Sequence, residues 1–273
     1  MFRTVIRFIC AATDILLPRL CVVCGKKLLL DESHICLDCL ADLPRTFFWK
    51  SRHNPMADRF NALIQEGLDL DASVTPDNMR DCVRSASLQG VEAYATTIAL
   101  FYYDGDSGYA DITRRLKYHG DIDEGRYFGH ILGMHTASCP WFADVDLVIP
   151  VPLHRKRRWS RGFNQAEIIA KEIASCLGVP MDVSILERHR MTLSQADLSV
   201  DEKKINVGGA FKVQEKAAGS LLAAASPRLR HIILVDDVFT TGSTVFACFA
   251  ALRTAFPPSV RISVATLGFV GGG

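Results

Sequence analysis

Residues 232–245, IILVDDVFTTGSTV, constrain the fold more than any other stretch of the chain. Ile232, Ile233, Leu234 and Val235 form a short unbroken apolar run. Such a run, bounded by polar residues, reads as a strand buried on both faces. It reaches two adjacent carboxylates, Asp236 and Asp237. A hydroxyl-rich loop follows (Thr240, Thr241, Gly242, Ser243, Thr244), then VFACFAALRTAF, whose apolar spacing suits a helix. Strand, acidic pair, loop and helix predict an α/β chain with a ligand site where this strand ends. Loop N–H groups and hydroxyls at a helix N-terminus suit a phosphate. The carboxylates can accept hydrogen bonds from sugar hydroxyls. A capped helix behind an Asp-rich turn is the plainer alternative. Against it, paired carboxylates at a buried strand end are costly unless something binds them, and a cap needs fewer hydroxyls. No G-x-x-x-x-G-K-[ST] or G-x-G-x-x-G is present, so the common nucleotide loops do not compete.

The segment resembles the phosphoribosyl-diphosphate (PRPP) signature of type I phosphoribosyltransferases. That resemblance implies that Asp236 and Asp237 hold the ribose hydroxyls. It also implies that Thr240, Thr241, Gly242, Ser243 and Thr244 hold the 5′-phosphate.

A chain of 273 residues with net charge +1 allows one large domain, or one with an appendage. The average charge gives no push toward nucleic acid or membrane, so any basic surface is local. Of nine cysteines, Cys10, Cys82, Cys139, Cys176 and Cys248 are dispersed and read as buried thiols. That usage suits a reducing compartment, the cytoplasm, rather than a disulfide scaffold. Residues 1–20 carry Val5, Phe8, Ile9, Ala12, Ile15 and Leu16 at helical spacing. They predict a short amphipathic helix. Asp14 and the arginines argue against a signal peptide or a membrane span, so no stable membrane insertion is expected.

Cys21-Val-Val-Cys24 and Cys36-Leu-Asp-Cys39 are two C-x-x-C pairs. Two such turns can build a tetrahedral four-sulfur zinc site, closed to water and therefore structural. Gly25 suits the sharp knuckle, where positive φ is needed. Disulfides and an iron–sulfur centre are the alternatives. His34 lies beside the module and reads as a surface residue.

Residues 146–151, DLVIPV, predict a second strand. Arg155, Lys156, Arg157, Arg158 and Arg161 then crowd a loop, and Ala166, Ile169, Ala170 and Ile173 share one face of a helix. The basic loop suits a polyanion such as diphosphate, or single-stranded nucleic acid with Trp159 as a stacking residue. Further upstream, 97–104 predicts a strand and 108–121 a helix. Ile112, Leu116 and Tyr118 are expected to pack inward, with Arg114, Arg115 and Lys117 projecting. Residues 62–96 carry no clear signal.

Several motifs in one order now point to a family. VIPVPLHRKRRWSRGFNQAE, RHRMTLSQADLS, NVGGAF and LVDDVFTTGST, behind a double C-x-x-C, resemble the ComF family. These are predicted phosphoribosyltransferases linked to natural competence. The resemblance implies a type I phosphoribosyltransferase-like, Rossmann-type α/β core with a mainly parallel sheet flanked by helices, behind a small zinc module. The units would be an N-terminal helix at 1–20, the zinc module at 21–45, a linker and helical region at 46–96, and the phosphoribosyltransferase-like domain at 97–270. Zn²⁺ would sit on Cys21, Cys24, Cys36 and Cys39, and Mg²⁺ would accompany PRPP or another ribose 5-phosphate ligand. Val151, Pro152, Leu153, Arg155, Arg161 and Lys117 would receive the diphosphate. Arg188, Gln195 and Lys203 would lie on a mobile loop over the site. An acceptor nitrogen would complete the transfer. The alternative is a PRPP sensor or a competence factor that binds single-stranded DNA or a helicase-like partner. Two departures bear on turnover. Val200 replaces a usual arginine, and Lys203 replaces another without its bidentate fork.

Overall fold

The computed structural model describes residues 18–74, 94–118, 120–189, 210–225 and 229–271. Four parallel strands form its centre: β1 (Thr97–Tyr102), β2 (Leu147–Pro150), β5 (His231–Phe239) and β6 (Arg261–Phe269), in the order β1-β6-β5-β2. The β5–β6 register pairs Leu234 with Val264 and Asp236 with Thr266. On the other side, β2 pairs only as far as Pro150 with Val235. Two short strands, β3 (Leu186–Arg188) and β4 (Phe211–Val213), pair antiparallel beside this sheet.

Alternate side chains of each strand enter opposite layers, as the twofold period of a strand requires. Ile98, Leu100, Val148, Ile233, Val235 and Leu267 face one layer. Its helices are α3 (Ala110–Tyr118), α4 (Ile122–Ala137) and α6 (Gln165–Leu177). Ala99, Ile149, Ile232, Leu234 and Val264 face the other. There lie α2 (Pro55–Val74) and α8 (Ser243–Arg253), with α7 (Glu215–Ala225) at one side. Phe60 on one face and Phe128 on the other are fully buried, each contributing about 1.5–3 kcal/mol of transfer free energy. Helices α4 and α6 approach closely because a Cβ at Gly133 would sit 2.8 Å from Cys176 Sγ. The α/β class with a parallel sheet flanked by helices is as the sequence predicts.

The cysteine module caps the α4 side. Cys21, Val22, Leu28 and Ile35 join that core. Buried Glu32 accepts hydrogen bonds from the N–H groups of Leu29 (2.6 Å) and Leu37 (2.8 Å), fixing the loop between the cysteine pairs and the start of the short helix α1 (Leu37–Ala41). The chain then runs along the free edge of β1. Asn54 donates to Thr97 O (3.1 Å) and caps Ala57 N–H (2.9 Å) at the start of α2.

Three expectations need correcting. The acidic pair is not at the end of its strand: Val238 and Phe239 continue β5 against Gly268 and Phe269. The basic stretch after β2 is a helix, α5 (Arg155–Arg161), capped by His154 Nδ1 at one end and by Gly162 in left-handed geometry at the other. Tyr118 points outward, 73% exposed, because it lies two residues, about 200°, past buried Leu116. The predicted N-terminal helix at 1–20 lies almost wholly outside the described residues, as do Gln195, Val200 and Lys203.

Candidate functional site

Strand β2 stops at Pro150 while β5 runs on, and this mismatch opens a crevice at the C-terminal edge of the sheet. Val151 N–H donates to Val235 O (2.8 Å), closing the last β2 contact. Just past it, Asp236 Oδ1 accepts the Asp237 N–H and Asp237 Oδ1 accepts the Val238 N–H, both at 2.9 Å. The two carboxylates leave the strand on opposite faces. Asp237 turns toward α3, where Lys117 Nζ lies 2.5 Å from its Oδ2. Asp236 turns toward the α8 face, near Arg188 and Cys248. Lys117 therefore does not project into solvent but pairs with the acidic strand.

The loop between β5 and α8 follows directly. Gly242 has φ of +83°, and a Cβ there would meet the Phe239 ring at 2.5 Å and Leu63 Cδ1 at 2.8 Å. Only glycine allows this turn to close over the α2 face. The Thr241 and Ser243 hydroxyls lie 2.9 Å apart. Arg59 of α2 donates to Thr240 O (3.0 Å) and Val270 O (2.9 Å), tying the loop to the end of β6. Arg59 falls in a stretch without a chemical motif, so sequence reading misses it.

Pro152, Leu153, Arg155 and Arg188 line an open cavity of about 270 Å³ beside the crevice, with Arg158, Glu167 and Glu187. Arg155 pairs with Glu187 (2.6 Å) and Arg158 with Glu167 (2.6 Å). Arg188 packs over the Phe211 ring, 5.2 Å from its centroid. Arg161 is elsewhere: its guanidinium lies 5.5 Å from the Tyr118 ring centroid and bonds Gln165 (3.2 Å). The structure thus gathers the acidic pair, Lys117 and the Thr/Ser loop at one crevice, with Leu153, Arg155 and Arg188 on an adjoining wall.

The crevice shapes its own protonation. Asp236 sits deep among protein atoms while keeping some solvent access; burial, then the neighbouring Asp237, push its carboxyl up to about 7. Burial disfavours the Lys117 ammonium, but Asp237 and Asp236 outweigh it and its pKa is raised. Burial, then Arg157, lower Arg188. The Asp236 carboxyl has a higher pKa folded than unfolded. Its contribution to stability is complete below about pH 4 and is lost as the pH rises through about 7. Asp236→Asn keeps the shape and removes the titration. We expect it to exceed wild type by about 1–2 kcal/mol at pH 8, limited by partial solvent access. Calorimetric melting at pH 8 and at pH 4.5 checks this: the gap should narrow at the lower pH. Equal melting temperatures at pH 8 would contradict it.

The cysteine module presents a second arrangement. Metal-ligating atoms of Cys21, Cys24, Cys36 and Cys39 all lie within 4.8 Å of one another. Cys24 Sγ and Cys36 Sγ are 3.7 Å apart. A tetrahedral ion with sulfur bonds of ~2.3 Å places its sulfurs about 3.8 Å apart, so the set fits such an ion. The Cys36 N–H donates to Cys21 Sγ (3.4 Å). Burial raises the Cys21 thiol, but N–H donors from Cys24, Cys36 and Val23 help bring it down to about 7. Gly25 adopts φ of +70°, as expected. Among the scattered cysteines, Cys139 and Cys248 are buried and Cys176 is half-buried.

A buried network at the opposite edge of the sheet also escapes sequence reading. His231 bonds Asp144 Oδ1 through Nδ1 (3.0 Å) and Ser263 Oγ through Nε2 (2.7 Å). It satisfies a fully buried imidazole at the start of β5.

No family model matches the chain. It is 37% identical over 100 residues to the DNA utilization protein YhgH of Salmonella typhi, covering 37% of this chain and 40% of that protein. The YhgH protein of Escherichia coli strain K12 is 36% identical over 100 residues, with the same coverage. Competence protein F of Haemophilus influenzae is 35% identical over 110 residues, 40% of this chain and 44% of that one. The chain spans about two fifths of the length of these curated relatives. The resemblance to the ComF family is borne out over that stretch.

Proposed function

We propose that the crevice binds PRPP with Mg²⁺ and that the chain transfers a phosphoribosyl group to or from a nitrogen acceptor. One observation carries this reading. Two carboxylates and a glycine-hinged Thr/Ser loop stand side by side at the C-terminal edge of a parallel sheet, the usual ligand edge of such sheets. Asp236 and Asp237 orient the ribose hydroxyls. The N–H groups and hydroxyls of Thr240, Thr241, Gly242, Ser243 and Thr244 take the 5′-phosphate at the start of α8. The hard oxygens of PRPP and of Asp236 suit Mg²⁺, whose chemistry is to neutralise leaving charge. Backbone at Val151, Pro152 and Leu153, with Arg155 and Arg188, accepts the departing diphosphate, with Arg161 flanking it. The C1′–oxygen bond breaks with its electron pair leaving on diphosphate, and a nitrogen lone pair forms the new bond to C1′. Positioning and charge stabilisation dominate such a step. Lys117 holds Asp237 in place through their ion pair.

The cysteine cluster, on this reading, holds a structural Zn²⁺. Its closed four-sulfur set leaves no position for water.

Turnover is tested by incubating the chain with PRPP, Mg²⁺ and a panel of nucleobases and amines while measuring diphosphate release. We expect Mg²⁺-dependent release, reduced about 100-fold in the Asp236→Asn/Asp237→Asn double variant, the size seen when one charge-stabilising donor is removed. Release that is independent of both carboxylates would overturn the assignment.

A second reading has its own observation. Trp159 is 91% exposed on the basic helix α5, and the relatives carry the names DNA utilization and competence protein. An aromatic platform among guanidinium groups suits single-stranded DNA. In a fluorescence titration with an oligothymidine, Trp159→Ala should lose about 1–3 kcal/mol of binding free energy. Affinity unchanged by that substitution would remove α5 as the contact.

A further inference from the structure

His34, Asp121 and Glu124 form a cluster remote in chemistry from the crevice. His34 lies in the cysteine module, between its two pairs. Asp121 caps the N-terminus of α4, accepting the Glu124 N–H at 3.2 Å, and Glu124 sits in the first turn. One ligating atom from each lies within 4.8 Å of the others. His34 is half-buried rather than a surface residue, its ring 5.5 Å from that of Tyr127.

Glu124 supplies the independent observation. Its side chain is 1% exposed, yet its Oε1 accepts no hydrogen bond. Its other oxygen lies 3.6 Å from Arg115 Nε, and Asp121 Oδ2 lies 3.5 Å from Arg115 Nη2. Arg115 thus holds the outer oxygens loosely and leaves Oε1 without a donor. A buried carboxylate oxygen in that state costs free energy comparable to a lost hydrogen bond or more. Among the described residues, the cysteine module brings the His34 imidazole to within 4.8 Å of a Glu124 carboxylate oxygen. One nitrogen and two carboxylate oxygens make a donor set for a borderline divalent cation, with water completing the shell. Ligand atoms on one such ion lie about 3–4 Å apart, so from separations of up to 4.8 Å the half-exposed His34 and Asp121 need to close by at most about 2 Å. Arg115 then acts as the outer partner that orients the carboxylates.

We propose that His34, Asp121 and Glu124 are a second metal site, distinct from the four cysteines. It takes a divalent transition cation such as Mn²⁺ and pins the cysteine module to the N-terminus of α4. Because α4 follows α3, which carries Lys117, the site ties the position of the module to that of the crevice.

The test is a titration of Mn²⁺ into the zinc-loaded full chain carrying Asp236→Asn/Asp237→Asn, so that the crevice carboxylates do not contribute. Free Mn²⁺ is read by electron paramagnetic resonance. We expect one Mn²⁺ bound per chain, and at least a roughly tenfold weaker affinity on adding either Glu124→Gln or His34→Gln. The zinc content should be unchanged. No Mn²⁺ bound below about 1 mM, a contact free energy of only ~4 kcal/mol, would overturn the proposal. So would an Mn²⁺ affinity in both added variants equal to that of the Asp236→Asn/Asp237→Asn parent. His34→Gln changes a half-exposed side chain and decides the matter if Glu124→Gln does not fold.

Discussion

Cys36→Ser should abolish metal retention and unfold the cysteine module. Wild type, dialysed, is expected to keep one zinc per chain; the variant should keep less than about a tenth, since metal affinity and folding free energy are one quantity in such modules. Cys36 is buried, its N–H bonds Cys21 Sγ, and Cys24 Sγ lies 3.7 Å away. Loss of the ion leaves buried thiols without a common partner. It also frees Val22, Leu28 and Ile35 from the α4-side core that they share. We expect stability to fall by more than ~3 kcal/mol and early proteolysis between residues 21 and 45. Elemental analysis, calorimetry and limited proteolysis check this. A variant that keeps zinc and melts like wild type would refute a four-cysteine site.

The second large effect concerns Lys117. Its ammonium lies 2.5 Å from Asp237 Oδ2, and the Asp237 side chain is only 12% exposed. That oxygen has no hydrogen bond besides this ion pair. Lys117→Met removes the cation and leaves a carboxylate stranded beside a second one. The expected cost is about 2–4 kcal/mol, the lower part of the range for breaking a buried pair because Lys117 is partly exposed. Asp237→Asn on that background should recover most of it, giving a coupling above ~1 kcal/mol in a double-mutant cycle. Denaturant titration of the four proteins measures this coupling. Additive single effects would show that the pair does not hold the crevice.

Three of the four sheet strands were legible because they are short apolar runs ending in polar loops; Arg261–Phe269 was not. Ile232–Val235, Leu147–Pro150 and Thr97–Tyr102 all form strands of the parallel sheet. Helix α6 was legible from the spacing of Ala166, Ile169, Ala170 and Ile173, all of them buried. The acidic pair was visible, but its geometry was not. That β5 outruns β2 depends on pairing between strands more than 80 residues apart, which local periodicity cannot report. The same limit hid Arg59, whose partners Thr240 and Val270 are distant in sequence. It hid the pairing of Lys117 with Asp237, since helical spacing places Lys117 beside buried Leu116 but says nothing of the facing strand. The basic stretch after β2, read as a loop between strand and helix, is a short helix capped by His154 and Gly162, whose caps the charge pattern does not report. Glu124 carries no signal in the sequence, and only the fold shows its burial.

The central claim is that the crevice binds a ribose 5-phosphate group. Isothermal calorimetry of wild type with PRPP and Mg²⁺ at pH 8, where Asp236 is ionised, tests it most directly. We expect saturable one-to-one binding that weakens at pH 6 as the Asp236 carboxyl takes up its proton. It should also fall at least ~100-fold, about 2.7 kcal/mol, in Asp236→Asn/Asp237→Asn. Wild-type chain that binds no PRPP under these conditions would contradict the claim outright.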